Sequence, residues 1–231
     1  MATLPEELAP GLWRWTARHP EWHPGRFGAE VASFALVAGD DLLLVDPLLA
    51  DIETPVLDTL DRLARGHAVH VLITIGYHVR SGEQLRARYD GRLWGPPNCA
   101  SRLQEPERLE TLAPQTDGPG GTLAFRIGKP VRGERPLWLP SHRAIAFGDA
   151  IVTTPDGALR VWSQEPVDDR RRRFYRDRFA PTLAPLLELP VKRVLVTHGT
   201  PILTDGAAAL RRALAEPPWT QRGEAEMPPP G

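Results

Sequence analysis

Val69 to Ile75 is the stretch that most limits what this chain can fold into. Apolar and β-branched residues dominate it, and it runs through Gly76-Tyr77-His78-Val79-Arg80 into helix-compatible residues from Ser81 to Tyr89. A run of that length and character reads as a buried strand, so the polar cluster falls at a strand-to-helix loop, where sites are often built. The flanks extend the pattern. Leu12-Trp13-Arg14-Trp15 alternates like a half-buried strand, and Val31 to Ala38 with Leu42 to Asp46 reads as a hairpin turning at Gly39-Asp40-Asp41. Val56, Leu57, Leu60 and Leu63 share one face of a helix that ends near Gly66, with Asp58, Asp61 and Arg62 on the other. A helix from Glu83 to Tyr89 leads to the short strand Leu93-Trp94, which Pro96-Pro97 stops. This β-α-β-α-β order places the chain in the α/β class, with strands covered by helices.

The second half uses more strands and longer loops. Leu109 to Gly121 has no periodicity and reads as loop, while Thr122 to Ile127, Leu137 to Leu139 and Ala144 to Phe147 read as consecutive antiparallel strands, the last ended by Gly148-Asp149. Asp168 to Leu187 is helical in pattern, with Pro181 and Pro185 at first-turn or kink positions. Val191 to Val196 is a β-branched strand ending at Thr197-His198-Gly199, and Asp205 caps a final helix through Ala215. The expected organisation is one domain over residues 1–220 and a proline-rich, disordered tail over 221–231.

With 231 residues, 42% of them hydrophobic, the chain can form a sizeable core. Basic and acidic residues number 28 and 29, a formal charge of -1, so no global field favours nucleic acid or an anionic membrane, and neither partner is expected. The run Arg170 to Arg173 is neutralised by Asp168, Asp169 and Asp177 and reads as a solvated helix face. Cys99 is the only cysteine, which excludes an intrachain disulfide, and the start at Met1-Ala2-Thr3 lacks the marks of a signal peptide. A cytoplasmic location is the expectation.

Four segments carry a resemblance by their order: Leu44-Val45-Asp46-Pro47, Leu72 to Gly82, Phe147-Gly148-Asp149-Ala150, and Val194 to Pro201 with its Thr197-His198-Gly199. In this order the chain resembles the metallo-β-lactamase-fold superfamily from about Leu12 to Ala215. The resemblance implies a four-layer αβ/βα sandwich with a site along one edge, between two sheets. Hydrolytic members hold two zinc or iron ions through a Thr-His-x-His-x-Asp-His loop, a further His, a bridging Asp and a last His. Two such ions acidify a bridging water, which attacks an ester, amide or thioester carbonyl or a phosphorus centre.

Most of that ligand set is missing here. Laid on Thr74 to Gly82 without gaps, the family loop puts Ile75 and Tyr77 at the first two His positions, Val79 at the Asp and Arg80 at the last His; a shift of one residue recovers only His78. The mid-chain His is replaced where Gly128-Lys129-Pro130 stands. Asp149 matches the bridging carboxylate, His198 the last His, and Asp46 a carboxylate that supports the site structurally. The resemblance therefore makes Asp149 and His198 the candidate catalytic pair and His78, Arg80 and Tyr77 the candidate ligand-binding residues. An ion pair of Arg80 with Asp149 is the expected substitute for metal. No cofactor is expected, although one weak divalent ion on His78, Asp149 and His198 stays open.

Other histidines have ordinary roles. His142 reads as a turn residue, His67 and His70 as solvated, His19 and His23 as members of an aromatic loop overhanging the pocket, and Cys99 as a buried inert thiol. Two functions follow. One is a pseudoenzyme with a degenerate metal site that binds a small molecule; the other is a hydrolase of a small ester, lactone, thioester or phosphoester using one weak metal or none.

Overall fold

In the computed structural model of the chain, which describes residues 3–22, 28–50 and 53–221, the first half builds a seven-stranded sheet. Its strands are β1 (Thr3–Ala9), β2 (Leu12–Arg18), β3 (Glu30–Ala38), β4 (Asp41–Val45), β5 (Ala68–Leu72), β6 (Arg92–Gly95) and β7 (Leu109–Thr111), bonded in that order. The first four form an antiparallel meander. From β4 onward the neighbours are parallel, which requires crossovers. Helices α1 (Glu53–Leu63) and α2 (Gly82–Arg88) supply the first two.

The second half builds β8 (Leu123–Ala124), β9 (Leu137–Leu139) and β10 (Ala144–Phe147), followed by the hairpin β11 (Ile151–Thr153) and β12 (Leu159–Val161). Next come α3 (Asp169–Phe174), a π-helical segment Tyr175–Phe179, a tight turn Ala180–Leu183, and α4 (Ala184–Leu187). Strand β13 (Arg193–Val196) and α5 (Gly206–Ala215) complete the fold. The sheet order is β13-β10-β9-β8, with β13 parallel to β10.

Period-two alternation along the strands divides the core into three slabs and so creates four layers. Leu42, Leu44, Val71 and Ile73 pack with Val56 and Leu60 of α1 and Leu85 of α2. Their neighbours Leu43, Val45 and Leu72 face the other way, onto Leu137, Leu139, Ala146 and Leu195 of the second sheet. On that sheet's far face, Ile145, Phe147, Val194 and Val196 pack under Tyr175, Phe179, Leu183 and Leu210. Each Val, Leu, Ile or Phe side chain among them taken out of water contributes about 1.5–3 kcal/mol. Sheets lie inside and helices outside.

Several expectations change. Thr3–Ala9 is an edge strand that no prediction covers, and Leu109–Thr111, expected as loop, is the strand at the opposite edge; Pro5 is tolerated in the first because an edge residue need not donate inward. The strand expected over residues 122–127 shrinks to Leu123–Ala124. The helix expected over 168–187 breaks after Phe179, since Pro181 and Pro185 lack the N–H that a continuous helix needs and each instead opens a new short turn. Asp205 occupies the start of α5 in a left-handed conformation, without a side-chain cap bond. Of the expected tail, residues 222–231 lie outside the described residues, as does His23. No helix among the described residues is long and apolar enough to cross a membrane.

Candidate functional site

Strand register brings four chain segments, two from each sheet, to one edge of the sandwich. Val45 pairs with Leu72 and Phe147 with Val196, so Asp46, Thr74, Asp149 and His198 all leave the carboxyl ends of parallel strands. The Ala32 N–H donates to the Thr197 carbonyl at 2.8 Å and ties the two sheets together beside them. Gly148 is required at the crossing: a Cβ there would lie 2.7 Å from Thr74 Oγ1. Asp46 and Arg80 both adopt positive φ, 46° and 43°, a conformation that costs a non-glycine residue about 1 kcal/mol or more and tends to mark functional sites.

The centre is a line of alternating charges. The Asp46 carboxylate, 2% exposed, accepts the Thr74 N–H at 2.8 Å and the Thr74 hydroxyl at 2.5 Å. It also meets His78 Nδ1 at 2.9 Å. His78 sits in the tight turn Gly76–His78 and is 4% exposed. Its other nitrogen, Nε2, lies 3.3 Å from Asp149 Oδ1, and His198 Nε2 lies 3.5 Å from that same oxygen. Neither of these two longer contacts has hydrogen-bond alignment.

Burial and the Arg80 charge pull the His78 pKa down, but Asp46 and Asp149 on either side outweigh them and raise it to about 9. His78 is thus an imidazolium at neutral pH. Burial works against the Asp149 carboxylate as well, yet the two imidazoles hold it well below the usual carboxylate range. His198 moves the opposite way from His78: desolvation outweighs Asp149, so its pKa falls and the ring is neutral at pH 7.

Sequence reasoning missed Glu134. This carboxylate, 2% exposed, accepts the backbone N–H groups of Gly148, Asp149 and Ala150 at 2.9, 3.1 and 2.8 Å and holds the turn that presents Asp149. Burial and the Asp149 charge push it up to about 7, against the stabilising N–H donors. It follows Gly133, so the glycine-led pair that reaches the site is Gly133-Glu134; Lys129 does not line the cavity.

Arg80 corrects an expectation. Its Nη1 donates to the carbonyls of Asp46 and Ala32 at 2.9 and 3.4 Å, and no ion pair joins it to Asp149. The partner of Asp149 is His78. Above these residues opens a cavity of about 380 Å³, also lined by Tyr77, Trp22, Trp162 and Arg132. Tyr77 stands at the mouth, 60% exposed, under the Arg102 guanidinium at 4.1 Å. His19 reaches the cavity too. His142 bonds the Val37 carbonyl at 2.9 Å, as a turn residue would. His70 departs from its solvated reading and is part-buried between Asp41 and Trp94.

Solved structures share this arrangement of layers. A metallo-β-lactamase from Erythrobacter litoralis superposes with a TM-score of 0.61 at 15% identity, covering 91% of this chain and 94% of its own. A metallo-β-lactamase family protein from Thermus thermophilus gives 0.56 at 15%, covering 90% and 78%. The fold is that of the metallo-β-lactamases. A flavodiiron core from Synechocystis matches with a TM-score of 0.62 at 13% identity over 93% of this chain and 60% of its own. No family model and no curated protein matches the chain.

A metal takes a lone pair from imidazole nitrogen, so an ion at His78 would have to displace the proton that Asp46 and Asp149 hold there. Glu134 already accepts three N–H groups. Among the described residues no group of three or more His, Cys, Asp or Glu side chains could hold an ion. The described residues therefore present no ready-made zinc or iron centre.

Proposed function

We propose that the chain is a metal-independent, small-ligand-binding member of this fold, a pseudoenzyme in which an internal ion-pair line replaces the dinuclear centre. The single observation that carries this reading is His78, set between Asp46 at 2.9 Å and Asp149 at 3.3 Å at the floor of the cavity. One imidazolium there supplies the positive charge that the buried Asp46 and the part-buried Asp149 require. The cavity volume lies within the ordinary range for small-molecule sites.

One observation favours a second reading, hydrolysis of a small ester, lactone, thioester or phosphoester. His198 is neutral and faces Asp149, so it has the protonation state a general base needs. The test is metal analysis of protein purified without chelator, followed by assay on chromogenic esters and phosphoesters. Substoichiometric zinc and iron with no turnover supports the binding protein. One or two ions per chain refutes it, and turnover that His198→Ala abolishes supports the hydrolase instead.

A further inference from the structure

The cavity's charges are not evenly partnered. Of its carboxylates, Asp149 is engaged by two imidazoles and Glu134 by three backbone N–H groups. Glu21, the third, is exposed at the rim. The two guanidinium groups differ. Among the described residues Arg80 bonds only main-chain carbonyls and Arg132 only a hydroxyl, and neither has a carboxylate within ion-pair distance. Asp46 and Asp149 act on Arg80 only through space, and a cation that lines a cavity without a direct carboxylate contact can take an anion from outside.

Arg132 is also built into place. Its guanidinium lies 4.2 Å over the Phe179 ring and 5.5 Å over Tyr175, and its Nη2 donates to the Tyr175 hydroxyl at 3.0 Å. That hydroxyl in turn donates to the Trp162 carbonyl at 3.1 Å, so one buried tyrosine positions both a charged and an aromatic lining residue. The stack and the single bond leave the rest of the guanidinium fork for a ligand. Trp162 and Trp22 line the same space and offer flat apolar surface.

We propose that the cavity binds a small organic anion, a carboxylate or phosphate ester bearing a flat apolar group, with Arg132 and Arg80 on the charge and the tryptophans on the ring. The assignment rests on the metal-free reading of the site.

Calorimetric titration at neutral pH with benzoate, phenyl phosphate, inorganic phosphate and benzyl alcohol tests it, with metal content measured on the same sample. Benzoate or phenyl phosphate should bind once per chain, and at least about tenfold more tightly than benzyl alcohol, as expected for one charge-assisted bond. The better of the two names the anionic group, and weaker binding of inorganic phosphate shows that the ring contributes. Arg132→Met should cost the anion about tenfold while leaving benzyl alcohol unchanged. Arg132→Lys, which keeps the charge and most of the stem, should lose less. Equal affinity for anions and benzyl alcohol in metal-free protein overturns this proposal alone, as does folded Arg132→Met or Arg132→Lys with undiminished anion binding. Anion binding that disappears with a chelator overturns the metal-free reading and this assignment together.

Discussion

At the scale of single residues, Glu134 shows how a buried carboxylate can serve a site without touching a ligand. Three consecutive N–H groups converge on it, and the turn Gly148-Asp149-Ala150 has no other anchor of comparable strength among the described residues. Glu134→Gln keeps the shape but removes one acceptor oxygen and places an N–H against the donors. A buried donor left unmet costs about 1–3 kcal/mol. Urea unfolding of this variant should show that loss, and an unchanged midpoint would mean that the turn holds itself. His78 and Arg80 divide between them a role expected of Arg80 alone. The guanidinium braces the main chain at Asp46 and Ala32, while the imidazolium bridges the carboxylates. Shape decides the division: the residue in the buried turn reaches Asp149, and the left-handed residue two positions later points its fork at carbonyls.

At the scale of elements, the π-helical segment Tyr175–Phe179 does what a regular helix would not. Wide turns of this kind often occur at functional sites, and here Tyr175 and Phe179 stack edge to face at 5.4 Å with both rings available to Arg132. The segment is invisible in the sequence, where Asp168 to Leu187 shows only a helical period; prolines 181 and 185 hint at breaks but not at their geometry. Tyr175→Phe keeps the ring and deletes the bonds to Arg132 and Trp162. It should lower stability by about 1 kcal/mol with an unchanged far-ultraviolet circular dichroism spectrum, read by denaturant melts. No loss would show that the hydroxyl merely fills space.

At the scale of the whole molecule, the part of the fold legible in advance was the part with strong local signals. Val69 to Ile75, the Gly39 hairpin and the α1 face each declare themselves within about ten residues, and the order of the four motif segments announced the sandwich. The candidate site was half legible. Asp46, Asp149 and His198 sit just past strand ends, where register delivers them to one edge, and the turn Gly76–His78 adds His78. Glu134, Arg132 and Tyr175 reach the site through turns and long-range contacts, and no period or motif in the sequence encodes such meetings. Glu134, five positions beyond Lys129, lines the cavity and Lys129 does not.

The proposed metal-free reading depends above all on the protonation of one imidazole. A folded-state pKa raised from about 6.5 to about 9 means that His78 contributes stability fully below 6.5 and loses it as pH climbs through 9, on the order of 3 kcal/mol in all. Nitrogen-15 NMR of labelled imidazoles, with His78→Gln to assign the resonance, measures this directly. Both His78 nitrogens should stay protonated at pH 7.5 and titrate near 9; a neutral His78 ring at pH 7.5 would contradict the ion-pair line.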